Sequence, residues 1–117
     1  MIVTSLKEER QQIFSSWATS LLNKDWEACD TCATLLLHTL ASKSEHRTDL
    51  ETWIDTVNAK YRDENILLHN MINTQINPFQ REQLKTKKIE LDEWRIKEIH
   101  NQFYLIFSKE SLIEKEK

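Results

Sequence analysis

Glycine is absent from this chain, and proline occurs once, at Pro78. Glycine adopts positive φ freely and lets the backbone approach an anion closely, so tight β-hairpins and phosphate-binding loops depend on it. The chain is therefore not expected to be a P-loop or Rossmann enzyme. A turn that requires positive φ must fall on Asn, Asp, Ser or Lys. These absences favour helices.

Long apolar runs and an excess of positive charge are also missing. No stretch approaches about 20 uninterrupted apolar residues, and the N-terminal segment lacks the basic start, apolar core and cleavage site of a signal peptide. The net charge is -3, so no global positive field favours nucleic acid. We expect a soluble, cytoplasmic protein with a protein partner and with neither a nucleic-acid nor a membrane partner.

The apolar residues recur at helical spacings of three, four and seven along most of the 117 residues. Four sites carry the signals of a helix start, a capping residue or a proline at the first position. They are Ser5 with Glu8, Asp25, Thr48 with Glu51, and Asn77 with Pro78. At Asn77-Pro78 a kink in one continuous helix is the alternative to a new helix.

This pattern predicts an all-α fold, an antiparallel bundle of four helices with short connections. Residues 1–117 are predicted to form a single helical domain, with helices near 5–23, 25–42, 48–76 and 78–110. The last helix is a candidate for a mobile element, and the charged C-terminal tail is expected to fray.

Cys29 and Cys32 form a Cys-x-x-Cys pair. A reactive pair normally places a thiolate at a helix N-terminus after a strand, and a structural zinc site needs about four ligands, for which no second pair exists. Unreactive cysteine packs as a small apolar residue, and both cysteines share a helix face with Trp26 and Leu36. The pair is therefore predicted to be core. The four tryptophans are mostly core candidates as well, with anchoring of a partner helix as the alternative for some of them.

Nothing in the sequence indicates catalysis. The carboxylates fall mostly on polar helix sides beside lysine and arginine, and no spacing suggests a Ser-His-Asp triad. We predict no enzyme activity, no cofactor and no metal. The basic cluster Arg81, Lys85, Lys87 and Lys88 is interpreted as a solvated face, with contact to nucleic acid or to an acidic partner as the alternative.

Three segments carry a resemblance to a known family. The first segment leads from one helix into a tryptophan just inside the next and reads SSWATSLLNKDW. The second combines a cluster of acidic and amide residues with paired aliphatic residues and reads DENILLHNMINTQI. The third is a polar-aromatic helix end and reads HNQFY. In these features the chain resembles the FliT family, the chaperones of the flagellar filament-cap protein. It departs from the family at Pro78 and in the length of residues 80–95.

The resemblance implies a small helical export chaperone that shields the C-terminal part of the filament-cap protein before secretion. It also implies contacts with export-apparatus components, a regulatory contact with a transcription regulator, homodimers, and a last helix that covers the binding surface. An apolar excess beyond one stripe suits a partner helix in a groove between the second and third helices. The predicted partner-binding residues are Leu37, Leu67, Leu68, Met71, Ile72 and Ile76.

Two other hypotheses remain open at this point. Chaperones of virulence type III secretion systems are also small, acidic, glycine-poor and helical. Helical immunity proteins that antagonise a toxin form the second alternative and belong to a different functional class.

Overall fold

The computed structural model describes residues 5–115 and, within them, the side chains of residues 5–108. The described residues form four α-helices and no strand. They are α1 (Leu6–Leu22), α2 (Trp26–His38), α3 (Glu45–Thr74) and α4 (Pro78–Lys115). The predicted all-α fold with four helices is confirmed.

Three of the predicted helix starts are capped as expected. Ser5 Oγ accepts a hydrogen bond from the backbone N–H three residues on at 3.1 Å, and Asp25 Oδ1 does the same at 3.2 Å. Asn77 Oδ1 accepts from the N–H groups two and three residues on, at 2.9 and 3.2 Å. Each side chain satisfies an amide that has no partner inside its helix. Pro78 therefore starts a new helix and does not kink a continuous one.

The predicted start of α3 at Thr48 is wrong. The helix begins at Glu45, and Ser44 is its cap, because Ser44 Oγ accepts from the N–H of His46 at 3.2 Å. Thr48 lies one turn inside, where its hydroxyl donates to the Ser44 carbonyl at 3.2 Å. Both residues are suitable caps. Because the polar residues between them tolerate a helical conformation, the helix begins after the earlier one, Ser44.

Three helix ends also differ from the prediction. Helix α2 ends at His38 and α3 at Thr74, so Ile76 lies in the connection rather than in a helix. Helix α4 continues to Lys115, beyond the predicted end at 110 and into the tail that was expected to fray. The last two residues of that tail lie outside the described residues.

The turn between α1 and α2 falls on Lys24, which has φ 56° and is the one residue with positive φ in the described part of the chain. The N–H of Lys24 donates to the Leu21 carbonyl at 3.1 Å, and the N–H of Asp25 donates to the Ser20 carbonyl at 2.9 Å. This is a Schellman motif, in which glycine usually occupies the left-handed position. The sequence prediction that lysine or another polar residue takes this role is confirmed.

Helix α4 is the central element of the fold, since it packs against each of the other three helices. It supplies the buried core side chains Ile96, Ile99, Phe103, Ile106 and Phe107. The remaining core residues are Trp17 of α1, Cys29, Cys32, Ala33 and Leu36 of α2, Leu40 just after it, and Leu50 and Val57 of α3. The second half of α4 is thus part of the core, and the mobility of the last helix stays a prediction.

Aromatic side chains join α1 to α4. Trp17 is fully buried, with its ring centroid 5.4 Å from that of Phe103 and 4.9 Å from that of His100. Arg10 fixes the other half of α1, because its Nε and Nη2 donate to the hydroxyl and the carbonyl of Thr39 at 3.0 Å each. The other three tryptophans are partly buried against the core, so the prediction that the tryptophans pack inward is confirmed.

The two long helices extend beyond the two short ones. At about 1.5 Å per residue, the 38 residues of α4 span about 57 Å, close to the 61 Å length of the molecule. Helices α1 and α2 pack along the second half of α4, and no core-cluster residue lies between Val57 and Trp94. The segment from residue 60 to residue 92 is thus an antiparallel pair of helices with a short connection, called the arm below.

Candidate protein-binding site

The cysteine pair lies in the core as predicted. Cys29 and Cys32 are buried and reduced, and both belong to the main core cluster. Burial raises the pKa of the Cys29 thiol to about 11, with the neighbouring Cys32 adding to the effect, and burial also raises the pKa of Cys32. Both sulfurs are therefore protonated at neutral pH and lack the thiolate that nucleophilic or redox chemistry uses.

A polar cluster joins three helices near the middle of α4. Arg95 forms a bidentate pair with Asp30 of α2, at 3.0 and 2.8 Å, and also donates to Asn58 Oδ1 of α3 at 3.3 Å. Burial disfavours the Arg95 cation, but the hydrogen bonds and charge of Asp30 outweigh it and raise the pKa. Tyr61 donates to Asp92 at 2.5 Å, and burial together with this bond raises its pKa to about 12.

A cleft of about 240 Å³ lies between α2 and α3. Helix α3 packs on α4, and α2 packs on α1 and, less extensively, on α4, so that α2 and α3 hardly touch each other. Its apolar lining includes Leu37 of α2 and Ile54 of α3, and its floor is Ile99 and Arg95 of α4. The predicted groove between the second and third helices therefore exists. It is short, and α4 closes its base instead of covering its mouth.

A larger cleft of about 580 Å³ runs along the arm between α3 and α4. Met71 and Leu84 are its apolar lining, whereas glutamine side chains from α4 and from the connection, together with the cation of Lys87, form its polar edges. The carboxylate of Glu90 closes one end. An apolar strip with amide and cationic edges is the form of groove that accepts an amphipathic helix.

The six predicted partner-binding residues occupy two separate places. Leu37 lines the cleft between α2 and α3, and the other five lie on the arm. At 1.5 Å per residue, Asn58 beside Leu37 and Met71 on the arm are about 20 Å apart along α3. One contact surface of ordinary side-chain size therefore does not include Leu37 together with the arm residues.

Exposure divides the five arm residues further. Leu67 is 57% exposed and Met71 is 42% exposed, and they lie one turn apart on one flank of α3. Ile76, in the connection, is 89% exposed. Leu68 is buried and Ile72 is half-buried, since both fall on the stripe that faces α4. Leu67, Met71 and Ile76 are accessible to a partner, whereas Leu68 supports the arm from inside.

The sequence reading missed three exposed apolar side chains of the arm. They are Ile66 and Ile89, each about half exposed, and Phe79, which is 71% exposed. Of the three, Phe79 has a sequence signal that could have identified it. It follows a proline in the first turn of a helix, where no preceding turn covers the side chain. The helical period alone does not show that the short helices stop before they reach the arm.

The predicted basic cluster lies on the arm and is mostly solvated. Lys85 pairs with Glu82 at 3.3 Å, and Lys88 pairs with Asp92 at 3.6 Å. Arg81 donates to the Gln75 carbonyl, at 2.6 Å. Lys87 has no ion-pair partner among the described side chains and remains available at the edge of the arm cleft.

Metal-binding and membrane-spanning features do not occur in the described residues. No group of three or more histidine, cysteine, aspartate or glutamate side chains there is arranged to hold a metal ion. None of the described helices combines the length and apolar character that crossing a bilayer requires. Comparison with known proteins identifies no relative: no protein-family model, no curated protein and no solved structure gives a significant match to this chain.

Proposed function

We propose that this protein is a FliT-like flagellar export chaperone that acts in the cytoplasm and shields the C-terminal part of the filament-cap protein before secretion. The proposal rests on the sequence resemblance and on one structural observation. Leu67 and Met71 form an exposed apolar flank beside the arm cleft, on a helix pair that neither α1 nor α2 covers. Contacts with export-apparatus components or a transcription regulator belong to the same proposal.

The arm suits a partner helix better than a small molecule. Its cleft is long, open and edged by amides, and the apolar side chains on its flank recur one helical turn apart. A partner helix that buried the exposed halves of Leu67 and Met71 would gain about 1.5–3 kcal/mol from these two side chains. The free cation of Lys87 favours an acidic residue at the edge of the partner helix.

The resemblance implies a last helix that covers the binding surface, and α4 takes a different role in this proposal. Because α4 supplies both the floor of the α2–α3 cleft and one side of the arm, its release would dismantle the binding surfaces instead of uncovering them. We therefore propose that the partner binds to the arm as it is folded. The α2–α3 cleft, where Leu37 lies, serves as a secondary contact.

The test is a calorimetric titration of the full chain with the C-terminal segment of the filament-cap protein. The double variant Leu67→Gln, Met71→Gln keeps residues of good helix propensity and should weaken binding about 10- to 100-fold, the equivalent of the burial lost. The control is Ile66→Gln. Ile66 is half exposed on the same helix but points about 140° away from Met71, so its replacement should leave the affinity unchanged.

Two results would contradict the proposal. Absence of binding by the wild-type chain at micromolar concentrations would remove the chaperone assignment. Equal weakening by the control variant would show that the partner does not use the flank of Leu67 and Met71. Thermal unfolding of each variant, followed by circular dichroism, distinguishes lost contact from lost fold.

A further inference from the structure

The distal end of the arm exposes two large apolar side chains that lie three residues apart in sequence. Ile76, in the connection, is 89% exposed, and Phe79, in the first turn of α4, is 71% exposed. Neither belongs to the flank that carries Leu67 and Met71, and neither supports the core. Together they form the apolar tip of a molecule 61 Å long and only 27 × 22 Å across.

The backbone of the tip satisfies many of its own polar groups. The N–H of Asn77 donates to Gln75 Oε1 at 3.1 Å, and Asn77 Oδ1 accepts two of the first N–H groups of α4. Arg81 donates to the carbonyl of Gln75. A turn whose polar groups are hydrogen-bonded to each other is less costly to desolvate, because fewer of those groups are left without a partner when water is removed.

Charge is distributed unevenly between the distal part of the arm, residues 69–88, and the rest of the chain. Residues 69–88 contain four basic residues and one acidic residue, a net charge of +3, although the whole chain carries -3. The rest of the chain therefore carries -6, and no acidic residue occurs between His69 and Arg81. A negatively charged surface would attract the tip, repel the body and orient the molecule with the arm pointing towards it.

We propose that the arm tip is a docking site for an anionic lipid surface, in which Ile76 and Phe79 enter the headgroup region and the basic residues of α4 contact the lipid phosphates. Exposed large apolar residues beside lysine and arginine are the combination that interfacial membrane binding uses. The sequence-based expectation of no membrane partner rested on the lack of a spanning segment. That criterion does not address contact at the interface.

The charge pattern favours a lipid surface over a second protein. The positive charges are spread around the start of α4, and only Met71 and Leu84 offer an apolar floor nearby. Neither Ile76 nor Phe79 lines the arm cleft, and both are exposed at the end of the arm. A flat, negatively charged, deformable surface accepts such a tip without shape complementarity.

The experiment measures co-sedimentation of the full-length chain with vesicles. One set contains phosphatidylcholine alone, and the other contains phosphatidylcholine mixed with phosphatidylglycerol, both at an ionic strength below about 0.1 M, where charges are weakly screened. The wild-type chain should bind the anionic vesicles and release them as salt is added. The double variant Ile76→Gln, Phe79→Gln should bind at least tenfold more weakly, because it loses the apolar insertion.

The matched control is Leu22→Gln. Leu22 is 84% exposed at the end of α1, outside the arm. Its replacement removes an exposed aliphatic side chain of the same size as Ile76 without touching the tip, and it should leave vesicle binding unchanged. A second variant, Lys85→Gln with Lys87→Gln, should weaken binding to anionic vesicles about fivefold per charge removed.

Several results would overturn the proposal: no binding to anionic vesicles, equal binding to neutral vesicles, or unchanged binding by the Ile76 and Phe79 variant. If the wild-type chain ignores vesicles while this variant loses affinity for the filament-cap segment, the tip is a protein contact and the lipid assignment is wrong. The chaperone proposal is tested on Leu67 and Met71, so either proposal can fail while the other stands.

Discussion

Helix α4 should be indispensable for folding, and truncation before Pro78 tests this directly. Its side chains Ile96, Ile99, Phe103, Ile106 and Phe107 are all buried in the core. At about 1.5–3 kcal/mol for each buried side chain, they contribute about 7–15 kcal/mol. The whole free energy of unfolding of a domain is about 5–15 kcal/mol. The fragment 1–77 should therefore not fold.

The single substitution Phe103→Ala refines this prediction in the full chain. Phe103 is fully buried and packs against Trp17 and Phe107, so its truncation should lower the free energy of unfolding by about 3–5 kcal/mol. The control Leu105→Ala removes an exposed side chain two residues away and should change that free energy by less than about 0.5 kcal/mol. Urea titration followed by circular dichroism measures both values.

A cooperative unfolding transition in the fragment 1–77 would refute this reasoning. So would a Phe103→Ala variant as stable as the wild-type chain. Either result would mean that α1, α2 and α3 bury enough surface by themselves and that α4 is a removable cover. If both predictions hold, α4 is part of the fold, and its release would unfold the domain instead of uncovering a surface.

Three further predictions concern the thiols, the pH dependence and the charge cluster. Because burial raises the pKa of Cys29 to about 11, only about one thiol in ten thousand is ionised at pH 7. A thiol reagent should therefore react slowly with the native chain and rapidly in denaturant. Fast reaction with the native chain would contradict the burial of Cys29. Burial lowers the pKa of His100 below its ordinary 6.5, so protons bind the unfolded chain more readily. The contribution of His100 to the free energy of unfolding should therefore be constant well above pH 6.5 and fall as the pH drops through 6.5 towards the folded pKa. Urea titrations at about pH 7.5 and about pH 5.5 measure this decrease, and it should be smaller in the variant His100→Gln. Arg95→Met and Asp30→Asn should show a coupling energy of about 1–2 kcal/mol in a double-mutant cycle, reduced by the exposure of Asp30; a coupling near zero would mean that the pair does not join α2 to α4.

Much of the fold was readable from the sequence because local chemistry determines it. The capping residues Ser5, Asp25 and Asn77 each bond the amides of the turn that follows, and the helical period identified the residues that face the core. The start of α3 was misplaced because Ser44 and Thr48 are chemically equivalent caps one turn apart. The choice between them depends on what the intervening turn packs against, which a local signal does not contain.

The binding surface was only partly predictable for a different reason. Adjacent residues such as Leu67 and Leu68 point about 100° apart on a helix, and their exposure depends on which neighbouring helix reaches that level. Helix α2 ends at His38 and does not extend along the arm. Leu68 is buried because it faces α4, whereas Leu67 remains exposed because no other helix reaches its side of α3. Leu37 was grouped with the arm residues because sequence spacing carries no information about the distance between helices.

The thin construction of the arm has a consequence for its local opening. Leu68 and Leu84 are its buried apolar side chains, and they remain 9% and 8% exposed. The side-chain oxygen of Asn65 is buried there without a hydrogen-bond partner. A segment with so little buried surface and an unsatisfied amide opens at a lower free energy than the core. Amide protons near the end of α3 should therefore exchange with solvent through local opening, long before those beside Trp17. A partner that binds the arm would order the least stable part of the molecule, and that ordering would lower its affinity by the free energy of fixing the two helix ends.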